Sequence, residues 1–195
     1  MPEFGKVYDR EDRNVKWMVA SDLHGSAYYC RKMFQAYDAE KADRLLFLGD
    51  ILYHGPRNDL PEEYNTKEVM KLLNERKKDL VCIRGNCDAA VDQMVLDFPV
   101  LAEYCVIESG GILIYASHGH IFSSENLPPL QDGDVFLQGH THVPLCEKKG
   151  NILCMNPGSV SLPKEDSYHG YMIMEDGKFV WKDFEGQEYR RIQLR

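Results

Sequence analysis

No run of apolar residues in the 195-residue chain approaches the ~18 that a membrane span needs. The first residues offer no apolar stretch of signal-peptide type either. Glu3, Lys6, Asp9, Arg10, Glu11, Asp12 and Arg13 interrupt it, and a cytoplasmic protein without membrane contact is expected. The six cysteines, at 30, 82, 87, 105, 146 and 154, form no C-x-x-C pair. A thiolate zinc site is therefore not expected, and in a reducing compartment most of the cysteines read as small core residues. Positive charge is in deficit: 23 Lys and Arg against 31 Asp and Glu leave a net charge of −8. Such a surface is poor for coating a nucleic-acid polymer. It does not oppose a small anionic substrate, because charge within a site can run against the global sign. Neither a G-x-S-x-G elbow nor a phosphate-binding P-loop occurs, and there is no internal repeat or low-complexity segment.

What is present is ordinary globular material, 44% hydrophobic and 28% charged, in a length that suits one domain with a large buried core. The charge-dense residues 1–14 read as an N-terminal extension, and residues 15–195 as a single domain. Five short apolar runs have the character of strands buried on both faces: 17–20, 45–48, 80–83, 112–116 and 135–137. Between the early runs, Tyr29, Met33, Phe34 and Tyr37 recur at helical spacing behind a candidate N-cap, Ser26. Val69, Met70, Leu72 and Leu73 do the same from Thr66, with Arg76-Lys77-Lys78 as a basic last turn. A short third helix is expected over residues 89–96. Strand–helix alternation predicts parallel pairing and an α/β architecture. Beyond residue 144, the runs 152–155, 171–174 and 179–181 are set apart by Asn-Pro-Gly, Asp-Gly and Glu-Gly turns and read as antiparallel strands. The expected shape is a sandwich of two sheets with helices outside.

Ligands gather at the carboxyl ends of strands in open α/β sheets, and all five runs lead into Asp, His or Asn. The segments are Ser21-Asp22-Leu23-His24-Gly25, Gly49-Asp50, Arg84-Gly85-Asn86-Cys87-Asp88, Ser117-His118-Gly119-His120 and Gln138-Gly139-His140-Thr141-His142. Six of the seven histidines adjoin a glycine, which permits the tight backbone needed to bring such a group into a shared site. Taken singly each signal is weak, since a His after a strand is more often structural and a Gly-Asp is as often a turn. Five in order at equivalent strand ends define a site. Asp22 and Asp50 offer carboxylate oxygen, Asn86 amide oxygen, and His24, His118, His140 and His142 imidazole nitrogen. Seven mixed donors without a thiolate are too many for one tetrahedral zinc. They suit two first-row divalent ions, with manganese, iron, zinc and nickel all admissible. Asp-x-His and His-x-His place alternate side chains on one side of an extended segment, and seven donors serve two ions if one carboxylate bridges.

In this order, these motifs resemble the signature of the calcineurin-like metallophosphoesterases. His54-Gly55-Pro56-Arg57-Asn58, Val91-Asp92-Gln93-Met94, Glu125-Asn126-Leu127-Pro128 and Asn156-Pro157-Gly158-Ser159-Val160-Ser161 make the chain more similar to the small bacterial YfcE-type phosphodiesterases, over about residues 16–182. The resemblance implies a four-layer α/β/β/α sandwich of two mixed sheets with a dinuclear centre. It implies that one ion takes Asp22, His24 and His142 and the other Asn86, His118 and His140, with Asp50 bridging. Asp50, Asn86 and His118 are the residues it sets closest to catalysis, and manganese is the first expectation for the metal. The implied activity is metal-dependent hydrolysis of a small phosphate ester, foremost a diester, by a hydroxide that bridges the ions and attacks phosphorus in line. Two divalent ions, two aspartates and that hydroxide leave the centre near +1, attractive to phosphate. The alternative is a weakly active or inactive interaction scaffold of the same fold. A metallo-β-lactamase-type hydrolase is set aside, because Val143-Pro144 follows His142 where H-x-H-x-D-H would continue. A homo-oligomer is left open.

One position departs from the wider superfamily. Cys87 stands where many members carry the histidine of Gly-Asn-His-Asp/Glu, the group implied to protonate the leaving oxygen. A thiol of ordinary pKa ~8.5 is a poorer proton donor at neutral pH than imidazole, and Cys87 reads as a packing residue. Asp88 either orients a ligand or caps the next helix. His120 is a candidate neighbour of the site, Arg57 a candidate for a two-pronged grip on phosphate, and His54 a candidate substrate contact. Arg84 reads as an ion-pair residue, and Asn156-Pro157-Gly158 as a turn supporting the metal loops.

Overall fold

In the computed structural model, which describes residues 14–194, the early apolar runs form three parallel strands, β1 (Trp17–Ala20), β2 (Arg44–Phe47) and β3 (Leu80–Cys82). Helix α1 (Ala27–Glu40) connects β1 to β2, and α2 (Thr66–Glu75) connects β2 to β3. Ser26 caps α1 by accepting the Tyr29 N–H at 3.2 Å. Asn65 caps α2 through the Glu68 N–H, and the helix stops at Glu75, so the basic Arg76-Lys77-Lys78 run lies beyond its end. Residues 1–13 of the charged N-terminal extension fall outside the described residues.

A second sheet takes the order β4-β5-β6-β8-β7, from β4 (Tyr104–Ser109), β5 (Ile112–Ser117), β6 (Val135–Leu137), β7 (Leu145–Lys149) and β8 (Ile152–Asn156). Strands β5, β6 and β8 run parallel, with β4 and β7 as antiparallel edges. The expectation for β8 is corrected here: it is antiparallel only to β7 and lies parallel on β6. The β7–β8 hairpin reverses the chain a second time and so restores the direction of β6. The antiparallel reading holds for β9 (Gly170–Glu175), β10 (Lys178–Asp183) and β11 (Glu188–Gln193), which extend the first sheet to β11-β10-β9-β1-β2-β3.

The two sheets meet on a dry interface. Val19, Leu46, Leu48 and Ile83 pack against Ile114, Ala116, Val135, Leu137 and Met155, all buried. Fully burying a side chain of that size contributes about 1.5–3 kcal/mol. The outer face of the first sheet is covered by α1 and α2, through Cys30, Met33, Phe34, Tyr37, Val69 and Leu73. The two-sheet α/β class is thus as expected. The layer over the second sheet is built by the loop carrying Phe122, Leu127 and Leu130, which pack on Phe136, Ile152 and Cys154. Strand β5 is buried at Ile112, Ile114, Ala116 and Ser117, with Leu113 exposed at its outer face.

The third helix reduces to one 3-10 turn, Asp92–Met94. Asp92 accepts the Ala89 N–H, while the Gln93 side chain donates to the Leu96 and Phe98 carbonyls and accepts from the Val100 N–H. These side-chain bonds satisfy the backbone in an irregular path, and Pro99 disfavours helix in the residue before it. Among the described residues no helix is long and apolar enough to cross a membrane.

Candidate metal centre

The carboxyl ends of β1, β2, β3, β5 and β6 deliver their polar residues to one rim of the sandwich. The loops after β1 and β2 are joined backbone to backbone: the Asp22 N–H donates to Gly49 O, and the Leu23 and His24 N–H groups both donate to Asp50 O. The Asp88 carboxylate ties in the third loop, accepting from the Asp50 N–H at 2.8 Å, Ile51 N–H at 2.8 Å and Gly85 N–H at 2.7 Å. Asp88 thus fixes Asp50 beside Asn86 and caps no helix. Two glycines make the approach possible. A Cβ on Gly85 would stand 2.1 Å from Asp50 Oδ1, and one on Gly139 would stand 1.9 Å from Ser21 Oγ.

Ten non-glycine residues have positive φ among the described residues, and five of them are Asp22, His24, Asp50, His140 and His142. Asp and His tolerate this region better than most residues, and such strained backbone gathers at functional sites. The Asn156-Pro157-Gly158 turn supports the arrangement as expected. Asn156 Nδ2 donates to Gly139 O at 2.8 Å, and the Ser159 hydroxyl donates to Asp22 O at 2.8 Å.

Three imidazoles are held in one tautomer. The Nδ1–H groups of His24, His118 and His142 donate to the carbonyls of Tyr53, Leu48 and Leu162 at 2.8, 2.7 and 2.6 Å. Each Nε2 is thereby turned inward, free to ligate once it is unprotonated. His24 Nε2 and His142 Nε2 lie 3.2 Å apart, and His142 Nε2 is 3.3 Å from Asp22 Oδ1. Asp22 Oδ1 is buried and has no hydrogen-bond partner among the described residues, while its Oδ2 accepts the His140 N–H. Asp50 Oδ2 lies 3.5 Å from His118 Nε2 and 3.7 Å from His24 Nε2. Asn86 Oδ1 is 3.0 Å from His118 Nε2. Lone pairs confronting one another at these distances repel unless a proton or a cation lies between them. The donor chemistry and the orphaned oxygen therefore fit divalent cations. His140 stands slightly apart: its ring nitrogens join none of the converging groups, and its ring centroid is 5.2 Å from that of His118.

The electrostatics agree. Burial opposes the Asp22 charge, but the neighbouring His142 and His24 rings and the charge of His118 outweigh it and hold the carboxyl well below the usual range. Burial likewise opposes the charged form of His118, yet Asp50 and Asp22 override it and push the imidazole up to about 9. Burial and the His118 charge both lower His140 and His120.

Over these groups opens a cleft of about 390 Å³, lined by Asp50, Asn86, His140 and His142 together with Arg57, Asn58, Cys87, Thr141 and Lys164. Arg57, the candidate phosphate contact, is among the residues lining the cleft. Cys87 packs against the loop at Gly55, where a Cβ would lie 3.1 Å from its sulfur. Burial and the charge of Asp50 push its thiol up to about 12. His120 sits behind His118 with ring centroids 5.4 Å apart, in a separate small pocket with Tyr104, Tyr115 and Phe122. His54 does not line the cleft; its ring packs edge-on to Tyr53 and Tyr64. Arg84 makes no ion pair among the described residues, its Nε donating to Asp88 O at 3.2 Å. Lys164 escaped sequence reasoning, for an exposed lysine in a polar loop carries no periodicity to mark it.

A two-sheet sandwich with polar loops gathered on one rim defines a class, and comparison with known proteins names it. The model of the calcineurin-like phosphoesterase superfamily domain matches residues 15–177, and the chain belongs to that family. It is 42% identical over 162 residues to "Phosphodiesterase YfcE" of Escherichia coli (strain K12), covering 83% of this chain and 88% of that one. The solved structure of YfcE, described as a phosphoesterase from E. coli, superposes with a TM-score of 0.89 at 37% identity, over 93% of this chain and 100% of the other. Vacuolar Protein Sorting 29 from Cryptosporidium parvum superposes with a TM-score of 0.61 at 19% identity, over 93% of this chain and 100% of that chain; this is a likeness of fold alone.

Proposed function

We propose that the protein is a metal-dependent phosphodiesterase with a dinuclear centre, acting on a small substrate in the cytoplasm, its residues 15–195 forming one domain. The observation that carries this reading is the convergence of three tautomer-fixed Nε2 lone pairs on two buried aspartates. In it, Asp22, His24 and His142 hold one ion, Asn86, His118 and His140 the other, and Asp50 serves both, with manganese the first choice of metal. Two bound divalent ions would supply the charge that draws in a phosphate and lowers the pKa of water to within reach of neutrality. The chain's own residues do the rest. The carbonyls of Tyr53, Leu48 and Leu162 hold the imidazoles in orientation, and the Cys87 N–H donates to Asp50 Oδ1 at 2.8 Å, steadying the shared carboxylate.

Arg57 supplies a fork of donors for a non-bridging phosphate oxygen. Cys87 remains a thiol at neutral pH and is neither nucleophile nor efficient acid, so esters with good leaving groups are favoured. An interaction scaffold has no need of three imidazoles converging on two buried aspartates. The test is hydrolysis of bis(4-nitrophenyl) phosphate by purified protein with manganese, after chelation, and after manganese is restored. Turnover lost and regained in that order supports the reading. No turnover by protein carrying bound metal would overturn it.

A further inference from the structure

Two cations line the cleft without side-chain partners among the described residues. Arg57 rises from the loop after β2, on the side of Cys87; Lys164 follows the loop whose backbone holds His142, its N–H donating to His142 O at 3.2 Å. Both side chains are exposed, and neither makes a hydrogen bond or ion pair among the described residues. Other cations on this acidic chain are divided: Lys41, Lys67, Lys71, Lys78 and Lys148 also lack an ion pair among the described residues but line no part of the cleft. Arg31, Lys32, Arg76, Lys77, Lys149 and Arg191 each lie against a carboxylate. Asp50 is the sole carboxylate lining the cleft, and the proposed function commits it to metal.

The charge balance follows. A centre near +1 is neutralised by the single charge of a phosphodiester, which leaves Arg57 and Lys164 in surplus; the proposed function assigns Arg57 to the phosphate oxygens. Lys164 is left over. The walls also lack Phe, Tyr and Trp, so a nucleobase finds no stacking platform of the kind that binds bases elsewhere.

We infer that the substrate is a small phosphodiester whose second substituent is non-aromatic and carries another anionic group, and that Lys164 reads this group. The inference rests on the proposed phosphodiesterase activity. The test uses two probes of equal shape and unequal charge, 4-nitrophenyl 2-carboxyethyl phosphate and 4-nitrophenyl 2-carbamoylethyl phosphate, with manganese-loaded full-length protein at low salt.

The wild type is expected to favour the carboxylate about tenfold in kcat/KM, mainly through KM, as befits one charge-assisted contact. Lys164→Ala should bring the ratio near one, and Lys164→Glu below it, while Arg57→Ala slows both probes and preserves the ratio. Calorimetry gives a readout free of turnover: 2-carboxyethylphosphonate should bind the wild type about tenfold tighter than propylphosphonate, and Lys164→Ala should erase the difference. Hydrolysis of both probes at equal efficiency by the wild type would overturn the inference and leave the phosphodiesterase reading standing. A ratio that survives Lys164→Ala would overturn the role of Lys164. Turnover of neither probe would overturn the activity and the inference together.

Discussion

Replacing Asp88 with alanine removes the only side-chain acceptor that the N–H groups of Asp50, Ile51 and Gly85 share among the described residues. The carboxylate is buried, only 2% exposed, so water reaches those donors poorly. A buried donor left unpaired costs about 1–3 kcal/mol. Three of them, with some relief from a water entering the vacated space, give a loss of ~3–5 kcal/mol. That is a large fraction of the ~5–15 kcal/mol by which domains are stable. Asp88→Asn keeps the shape but points an amide N–H₂ at one of the donors. With its oxygen facing Asp50 and Gly85, it leaves the Ile51 N–H opposed, for a loss of ~2 kcal/mol. Urea denaturation of chelated protein measures both. Because Asp88 also ties the Asp50 loop to the Asn86 loop, manganese affinity should fall with stability. An alanine variant within about 1 kcal/mol of wild type, with unchanged metal affinity, would refute the argument.

Asp50→Asn should lower metal content and abolish turnover of the nitrophenyl diester, since a neutral amide cannot balance two cations; elemental analysis and initial rates check it. The metal-free protein should lose stability with rising pH. His118 is raised to about 9 when folded against an ordinary ~6.5, so its contribution is full below ~6.5 and is lost as pH climbs through about 9, which denaturant melts at pH 6, 7.5 and 9 will read. By the same shift, manganese loading at pH 7.5 should release protons, measurable in buffers of different ionisation heat. Cys87→Ala should keep its metal and most of its activity on the nitrophenyl diester, and total loss of activity with metal retained would make the thiol chemically essential. Cys87→His crowds Gly55, so any gain on alkoxide leaving groups requires that loop to shift.

The fold was legible where burial dominates the residue choice. β1, β2 and β6 are buried along nearly their whole length, and their apolar runs announced them. The edge strands β4 and β11 did not: β4 exposes Tyr104, Val106 and Glu108, and β11 exposes Tyr189 and Arg190. Their pairing is made by backbone bonds to a neighbour, which leaves little trace in composition. The site was legible because Asp22, Asp50, Asn86, His118, His140 and His142 follow closely on apolar runs, four of them directly beside a glycine. What could not be read was how the loops are tied. The three donors on Asp88 come from residues 3, 37 and 38 positions away, and the left-handed backbone of five of the candidate ligands has no sequence signature in Asp or His.

The central claim is that the converging donors hold two divalent ions on which phosphodiester hydrolysis depends. Titrating chelated protein with manganese, while following bound equivalents and turnover of bis(4-nitrophenyl) phosphate in the same samples, tests it most directly. The account predicts saturation at about two ions per chain, with turnover reaching its plateau only as the second binds. Full turnover at zero bound ions, or a plateau at one that the second leaves unchanged, would contradict it.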